Sequence, residues 1–251
     1  DIAIGTAKLF GIKLMRNFNV PYFSRDIAEF WRRWHISLTT WFRDYVYIPL
    51  GGSRPDTSRL SPLASRLSPS AYTKCIAVRN TFIIFLLSGF WHGANWTFVL
   101  WGAYHALLFV PLLLMNKNRR YRDTVATITL PDGTIKAKLL PSFKEAGQML
   151  LTFALAVFGW IIFRATGLKS LKIILSTIFS EKFFATEFII NCDIVVILGL
   201  IFYMIIIEWI NRTKQHALAN INQNLPLVIL TIMLTIIFAA RGETEFIYFQ
   251  F

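Results

Sequence analysis

The sequence predicts an all-α integral membrane protein: several spanning helices, amphipathic helices lying at the membrane interface, and one small β-hairpin outside the membrane. Three observations carry that reading. Hydrophobic residues make up 55% of the 251 positions and the mean hydropathy is +0.51, more apolar surface than a soluble core of this size needs. The apolar residues gather into runs at 75–90, 96–115, 147–163, 194–210 and 225–240, of lengths that cross or nearly cross hydrocarbon as helices. The Lys and Arg residues behind the net charge of +12 fall mostly between those runs, where membrane loops carry them. That distribution argues against a nucleic-acid partner, which the charge total alone would have suggested. Cys75 and Cys192 stand in no metal-ligand or redox spacing and read as packing residues.

Taken in order, Asp1 to Met15 is apolar and helical, with Lys8 and Lys13 to one side, and reads as the end of a spanning helix. The chain as a whole is expected to be the C-terminal portion, 1–251, of a single transmembrane domain whose first spans lie upstream. After Pro21, Ser24 can cap a helix that runs to about Trp41. Ile27, Phe30, Trp31, Trp34, Leu38 and Trp41 recur at three- and four-residue spacing, and Arg25, Glu29, Arg32, Arg33 and Ser37 take the other face. A basic amphipathic helix this rich in Trp belongs at a membrane interface. His35 falls on the border of its apolar stripe, and Arg43 and Asp44 can pair with each other. Tyr45 to Gly52 is expected to be extended and closed by a glycine turn, and the Ser-, Pro- and Arg-rich stretch Ser53 to Ser70 to be a loop.

The stretch Leu87-Ser88-Gly89-Phe90-Trp91-His92-Gly93-Ala94-Asn95-Trp96 then sets an imidazole between two long apolar runs, where an unpartnered polar group is costly. The first run, about 16 residues, would rise only about 24 Å as a helix, which stops His92 short of the far membrane surface. His105, inside the second run, reads as a helix-packing residue, with a proton-carrying role as the alternative. Thr124 to Leu139 alternates apolar and polar residues around Pro131-Asp132-Gly133, a β-hairpin pattern. Gly147 to Phe163 is a span, Leu168 to Ile178 an amphipathic surface helix with Lys169 and Lys172 on its polar side, and 194–210 and 225–240 are two further spans.

Three stretches together resemble the membrane-bound O-acyltransferase family, in its bacterial polysaccharide (alginate-type) O-acetylase branch. They are Phe30-Trp31-Arg32-Arg33-Trp34-His35-Ile36-Ser37-Leu38 with Trp41 to Gly52, Gly89-Phe90-Trp91-His92-Gly93-Ala94, and Phe246-Ile247-Tyr248-Phe249-Gln250-Phe251. The Ser- and Pro-rich insert at 53–70 and the missing first spans fit the family less closely. The resemblance implies helices enclosing a tunnel through a bacterial inner membrane. A cytoplasmic acyl thioester, acetyl-CoA or an acyl carrier, would enter from one side and a polysaccharide hydroxyl from the other, with a periplasmic acetyltransferase as partner. It also implies that His92 is catalytic and His35 a second functional histidine. No permanently bound cofactor and no metal is expected.

The chemistry agrees with those roles. A hydroxyl attacking a thioester must lose its proton, and an imidazole with an unperturbed pKa near 6.5 is suited to take it. Desolvation should keep His92 neutral and ready to accept. Asn95, His35 or an indole such as Trp91 could donate to the developing oxyanion, and Arg32 and Arg33 could meet the donor's phosphates. Asp44 completes the set of supporting candidates. No Gly-x-Ser-x-Gly occurs and neither cysteine adjoins a histidine, so an acyl-enzyme on Ser or Cys is not expected. Three other readings stay open: D-alanyl transfer toward teichoic acid by a related branch, a proton-coupled transporter relaying through His92 and His105, and a silent scaffold that docks a periplasmic partner.

Segments 53–79, 116–146 and 211–224 carry 14 basic residues, against 5 in 164–190 and the tail from Arg241, so the first set should be cytoplasmic. Cysteines placed in Ser53 to Ser70 and near Leu139 should be shielded in intact cells from an impermeant thiol reagent, and one near Ser180 should react. Labelling of the first pair would reverse the orientation.

Overall fold

The computed structural model describes residues 2–52, 68–130, 132–180, 192–214 and 221–238. The chain divides into two compact units, one of Asp1–Ala126 with Leu140–Phe183 and one of Thr127–Leu139 with Phe184–Phe251. The helices of the first are α1 (Ile2–Leu9), α2 (Ile27–Arg33), α3 (Ile36–Phe42), α4 (Pro69–Trp91), α5 (Trp96–Leu114), α6 (Phe143–Arg164) and α7 (Leu168–Ile178).

Three of these, α4, α5 and α6, are long and apolar enough to cross a membrane. Helix α4 is longer than its apolar run because Ser68 caps it, accepting from the Ala71 N–H at 3.3 Å, and Pro69 opens its first turn. Its 23 residues rise about 34 Å, so the helix that leads to His92 is longer than the 16-residue apolar run it contains and long enough to cross a membrane. A capping box between Ser142 and Glu145 starts α6. Helix α5 starts at Asn95, whose side chain accepts from the Thr97 N–H.

Helices α4 and α5 form a hairpin in backbone contact. A Cβ at Gly89 would lie 2.3 Å from the Phe98 carbonyl oxygen, and one at Gly102 would lie 2.2 Å from that of Phe85. Small residues at both points therefore set the helix separation. Against this hairpin pack α6 and the short α2, whose Ile27 and Phe30 bury with Ala156 among Trp31, Trp34, Leu108, Leu112 and Trp160. Leu171 of α7 joins Trp101, Ile162 and Ala165 in a neighbouring cluster, as the amphipathic pattern of that helix requires.

Four expectations are revised. The first helix stops at Leu9, because Gly11 adopts φ +75° and the Ile12 and Gly11 N–H groups bond back to Ala7 and Lys8, a Schellman ending. The single helix expected from Ser24 to Trp41 is two, α2 and α3, broken at His35, which takes the left-handed conformation (φ +44°, ψ +56°). Asp26 and not Ser24 caps α2, accepting from the Glu29 N–H at 2.7 Å. The stretch after Phe42 is not extended: Arg43–Tyr47 is a π-helical turn that continues α3.

In the second unit, β1 (Thr127–Thr129) pairs antiparallel with β2 (Ile135–Ala137), Ile128 opposite Lys136, the expected hairpin. Asp132 shapes its turn by accepting from the Thr134 N–H and hydroxyl. Helices α8 (Cys192–Ile210) and α9 (Ile221–Phe238) complete the unit, joined by Tyr203 and Thr231 hydroxyls 2.8 Å apart. The Trp209 indole donates to the Leu139 carbonyl at 2.7 Å. Residues 53–67 of the predicted loop and the terminal Phe246–Phe251 motif lie outside the described residues.

Gly102→Ala should push α4 and α5 apart and destabilise the protein by about 1–3 kcal/mol, as overpacking of an interior does. A fall in the melting temperature of the detergent-solubilised protein would show it, and an unchanged one would mean that the hairpin is looser than described.

Candidate active site

Helices α2 to α6 enclose a cavity of about 590 Å³. On α4 its lining residues are Thr81, Ile84, Phe85 and Ser88, followed by His92, a single stripe of one helix face that extends about 16 Å. Trp101, Phe109 and Leu113 continue the wall on α5, Trp160 and Phe163 on α6, and Trp31, Trp34, His35, Leu38 and Phe42 come from α2, α3 and the break between them.

The two predicted histidines meet in this cavity. The His92 ring stands edge-on to Phe163 (4.8 Å between centroids) and Trp101 (5.5 Å), and beside Trp91 (4.8 Å). The aromatic walls hold the imidazole in place, each such pair worth about 0.5–1.5 kcal/mol beyond its buried area. His35 lies 6.3 Å from Trp91 across the same end. Burial pulls its pKa below the usual histidine value, opposed in part by its own backbone, and its buried Nδ1 has no hydrogen-bond partner among the described residues.

The opposite end is basic. Arg32, Arg43, Asn118 and Arg119 line the cavity there. Arg32 donates to the carbonyls of Asn118 and Tyr121, just beyond the end of α5. Arg43 pairs with Asp44 at 2.7 Å on the surface, on the turn that leads to Leu50 and Gly52, whose carbonyls accept from Asn80 near the Thr81 end of α4. The cavity thus runs from an imidazole end to a guanidinium end.

The other candidates are placed differently. Asn95 is committed to its cap on Thr97 and to the Thr166 carbonyl at 3.2 Å, and does not line the cavity. Trp91 is half exposed and backs onto both histidines, and Asp44 reaches the site only through Arg43. Arg33 is buried (7% exposed) and bonded to Glu29 at 2.7 Å and to the Asp123 and Asn19 carbonyls, so its charge is already used inside the protein. Arg25 is buried beside it, its Nε 3.1 Å from Glu29 and its Nη2 3.1 Å from Asp123. Burial draws the Arg25 pKa down, but hydrogen bonds to Glu29 and Asp123 outweigh it and leave it raised. The polar face of α2, read from spacing as that of a basic interfacial helix, is therefore largely an internal ion cluster. His105 is 1% exposed and outside the cavity, its Nδ1 accepting from the Trp31 indole at 3.4 Å. Trp101 touches both His92 and His105, and an indole, which only donates, cannot relay a proton between them.

Spacing missed Trp31, Trp101 and Phe163 as cavity walls, and Arg43 and Arg119 as its basic end. Trp101 had a signal: it stands on the α5 face that carries His105 and Leu108, one turn away. Arg119 had none, since a basic residue after a span is the ordinary pattern.

These features define a multi-pass helical membrane protein whose spanning helices wall a cavity with two imidazoles at one end. The sequence profile of the membrane-bound O-acyltransferase family matches residues 1–132, and the chain belongs to that family. It is 38% identical over 169 residues to a probable alginate O-acetylase of Pseudomonas aeruginosa, covering 67% of this chain and 25% of that protein. A peptidoglycan O-acetyltransferase of Helicobacter pylori is 31% identical over 277 residues, with all of this chain and 45% of the relative covered. A teichoic acid D-alanyltransferase of Bacillus subtilis is 32% identical over 167 residues, covering 64% and 35%. The chain thus spans between a quarter and a half of the length of these relatives.

Glu29→Ala should leave Arg25 and Arg33 as uncompensated buried cations and destabilise the protein by about 3–5 kcal/mol. A sharp loss of thermal stability or membrane abundance, greater than for Asp44→Ala at the exposed pair, checks this.

Proposed function

We propose that the protein is an O-acyltransferase that passes an acetyl group from a cytoplasmic thioester, acetyl-CoA or an acyl carrier, to a hydroxyl of an exported polysaccharide at a bacterial inner membrane. The observation that carries the reading is the cavity itself, with His35 and His92 at one end and Arg32, Arg43 and Arg119 at the other. Guanidinium groups suit the phosphates of a nucleotide-bearing thioester. The aromatic stretch between the ends suits an acyl arm and excludes the water that would hydrolyse it.

In this reading the acceptor hydroxyl oxygen attacks the thioester carbonyl carbon at the imidazole end. His92 takes the hydroxyl proton as the C–O bond forms, the C–S bond breaks, and the proton passes to the departing thiolate, leaving an ester and a free thiol. General-base assistance of this kind contributes about 10²–10⁴ in rate. His35, with a buried nitrogen free of any partner among the described residues, is the polar group best placed to support the developing oxyanion. An acetyl donor is favoured over D-alanine because relatives named for O-acetylation match more of the chain. A periplasmic acetyltransferase as partner belongs to the same proposal.

In the native membrane protein, His92→Ala should remove acetyl esters from the exported polymer while membrane abundance stays normal. Wild-type acetyl content in that variant would end the general-base role, and D-alanyl in place of acetyl esters would move the protein to the teichoic-acid reading.

A further inference from the structure

Helix α3 starts without a cap from its own first residue. The N-cap position is His35, whose side chain makes no capping hydrogen bond and lines the cavity instead. Helix starts leave N–H groups that a Ser, Thr, Asp or Asn at this position would ordinarily take. Here a residue 18 positions upstream takes them. The Asn17 carbonyl accepts from the Ile36 N–H at 2.9 Å, and its side-chain Oδ1 accepts from the Ser37 N–H at 3.0 Å.

The same loop holds the other side of the break. The Asn19 N–H donates to the carbonyl of Arg33, the last residue of α2, at 2.9 Å. Between them Phe18 packs on the Trp34 ring (4.9 Å) and the His35 ring (6.0 Å). His35 adopts φ +44°, a left-handed conformation that only a few per cent of residues with a side chain take. Left to local preference, residues 27–42 would close into one helix, as their periodicity suggests, and the imidazole would turn with it.

We propose that Asn17 is a positioning residue for His35: it caps α3 in the histidine's place, so the break persists and the imidazole stays in the cavity. The functional consequence rests on the acyltransferase reading; the geometric claim does not. The test therefore carries two readouts on the native membrane protein. One is the rate at which diethyl pyrocarbonate modifies His35, followed by mass spectrometry with the buried His105 as a control against unfolding; the other is kcat and donor KM for acetyl transfer.

Asn17→Ala should raise the His35 modification rate about threefold or more with His105 unchanged, and lower kcat about tenfold with donor KM within about twofold. Asn17→Asp, which keeps the acceptor oxygen, should restore both to near the wild-type values. Unchanged His35 reactivity in Asn17→Ala, or equal effects of Ala and Asp, overturns the proposal. Raised reactivity with normal kcat upholds the positioning and removes His35 from the transfer instead. If Asn17→Ala does not accumulate, adding His35→Gly should recover its abundance, because glycine holds the left-handed conformation unaided; no recovery overturns the proposal too.

Discussion

Glu29, 1% exposed and bonded to Arg25 and Arg33 on successive turns, is the interaction on which the site side of the molecule rests. Helix α2 has seven residues, too few to be stable alone. Its position comes from charges: Arg25 continues to Asp123 and approaches Glu145 at the start of α6, and Arg33 reaches the Asp123 carbonyl. With the polar face fixed inward in this way, the other face presents Ile27, Phe30, Trp31 and Trp34 to α5 and α6. The chain leaves α2 at His35. A buried carboxylate between two guanidiniums is seldom a net gain in stability over apolar packing, and its stronger effect is to admit only one arrangement of the elements it joins.

The two ends of the cavity differ in what surrounds a charge. At the guanidinium end Arg43 and Arg119 are exposed, so water screens them, and attraction to a phosphate is modest and sensitive to salt. At the imidazole end Trp101 is 5% exposed and Phe163 and Trp91 crowd His92, which lowers the local dielectric and strengthens every interaction with a developing charge. The proposed donor, with phosphates at one end and a reactive carbonyl at the other, matches this gradient.

Much of this was legible in the residues. Three of the five predicted spans, α4, α5 and α6, the hairpin at Asp132-Gly133 and the amphipathic α7 all follow from periodicity and turn chemistry, because each is decided locally. His35 and His92 both stand in the stretches that carry the family resemblance, and both line the cavity. Three features were not legible, each for the same reason. The break at His35 depends on Asn17; the burial of Glu29 and Arg33 depends on Asp123; and the α4–α5 separation depends on Gly89 meeting Phe98 and Gly102 meeting Phe85. Periodicity in one helix reports which face is polar, but not whether water or another part of the chain satisfies it. That is why α2 read as a basic interfacial helix.

The 98 residues that separate Arg25 from Asp123 also set a timetable for biogenesis. At about 5–20 residues per second of synthesis, the segment that becomes α2 is made about 5 to 20 seconds before its outer carboxylate partner. During that interval both α4 and α5 are translated. The ion cluster can be completed only after the α4–α5 hairpin has emerged, and the cavity only after α6, which brings Glu145 towards Arg25 and adds Trp160 and Phe163 to the wall.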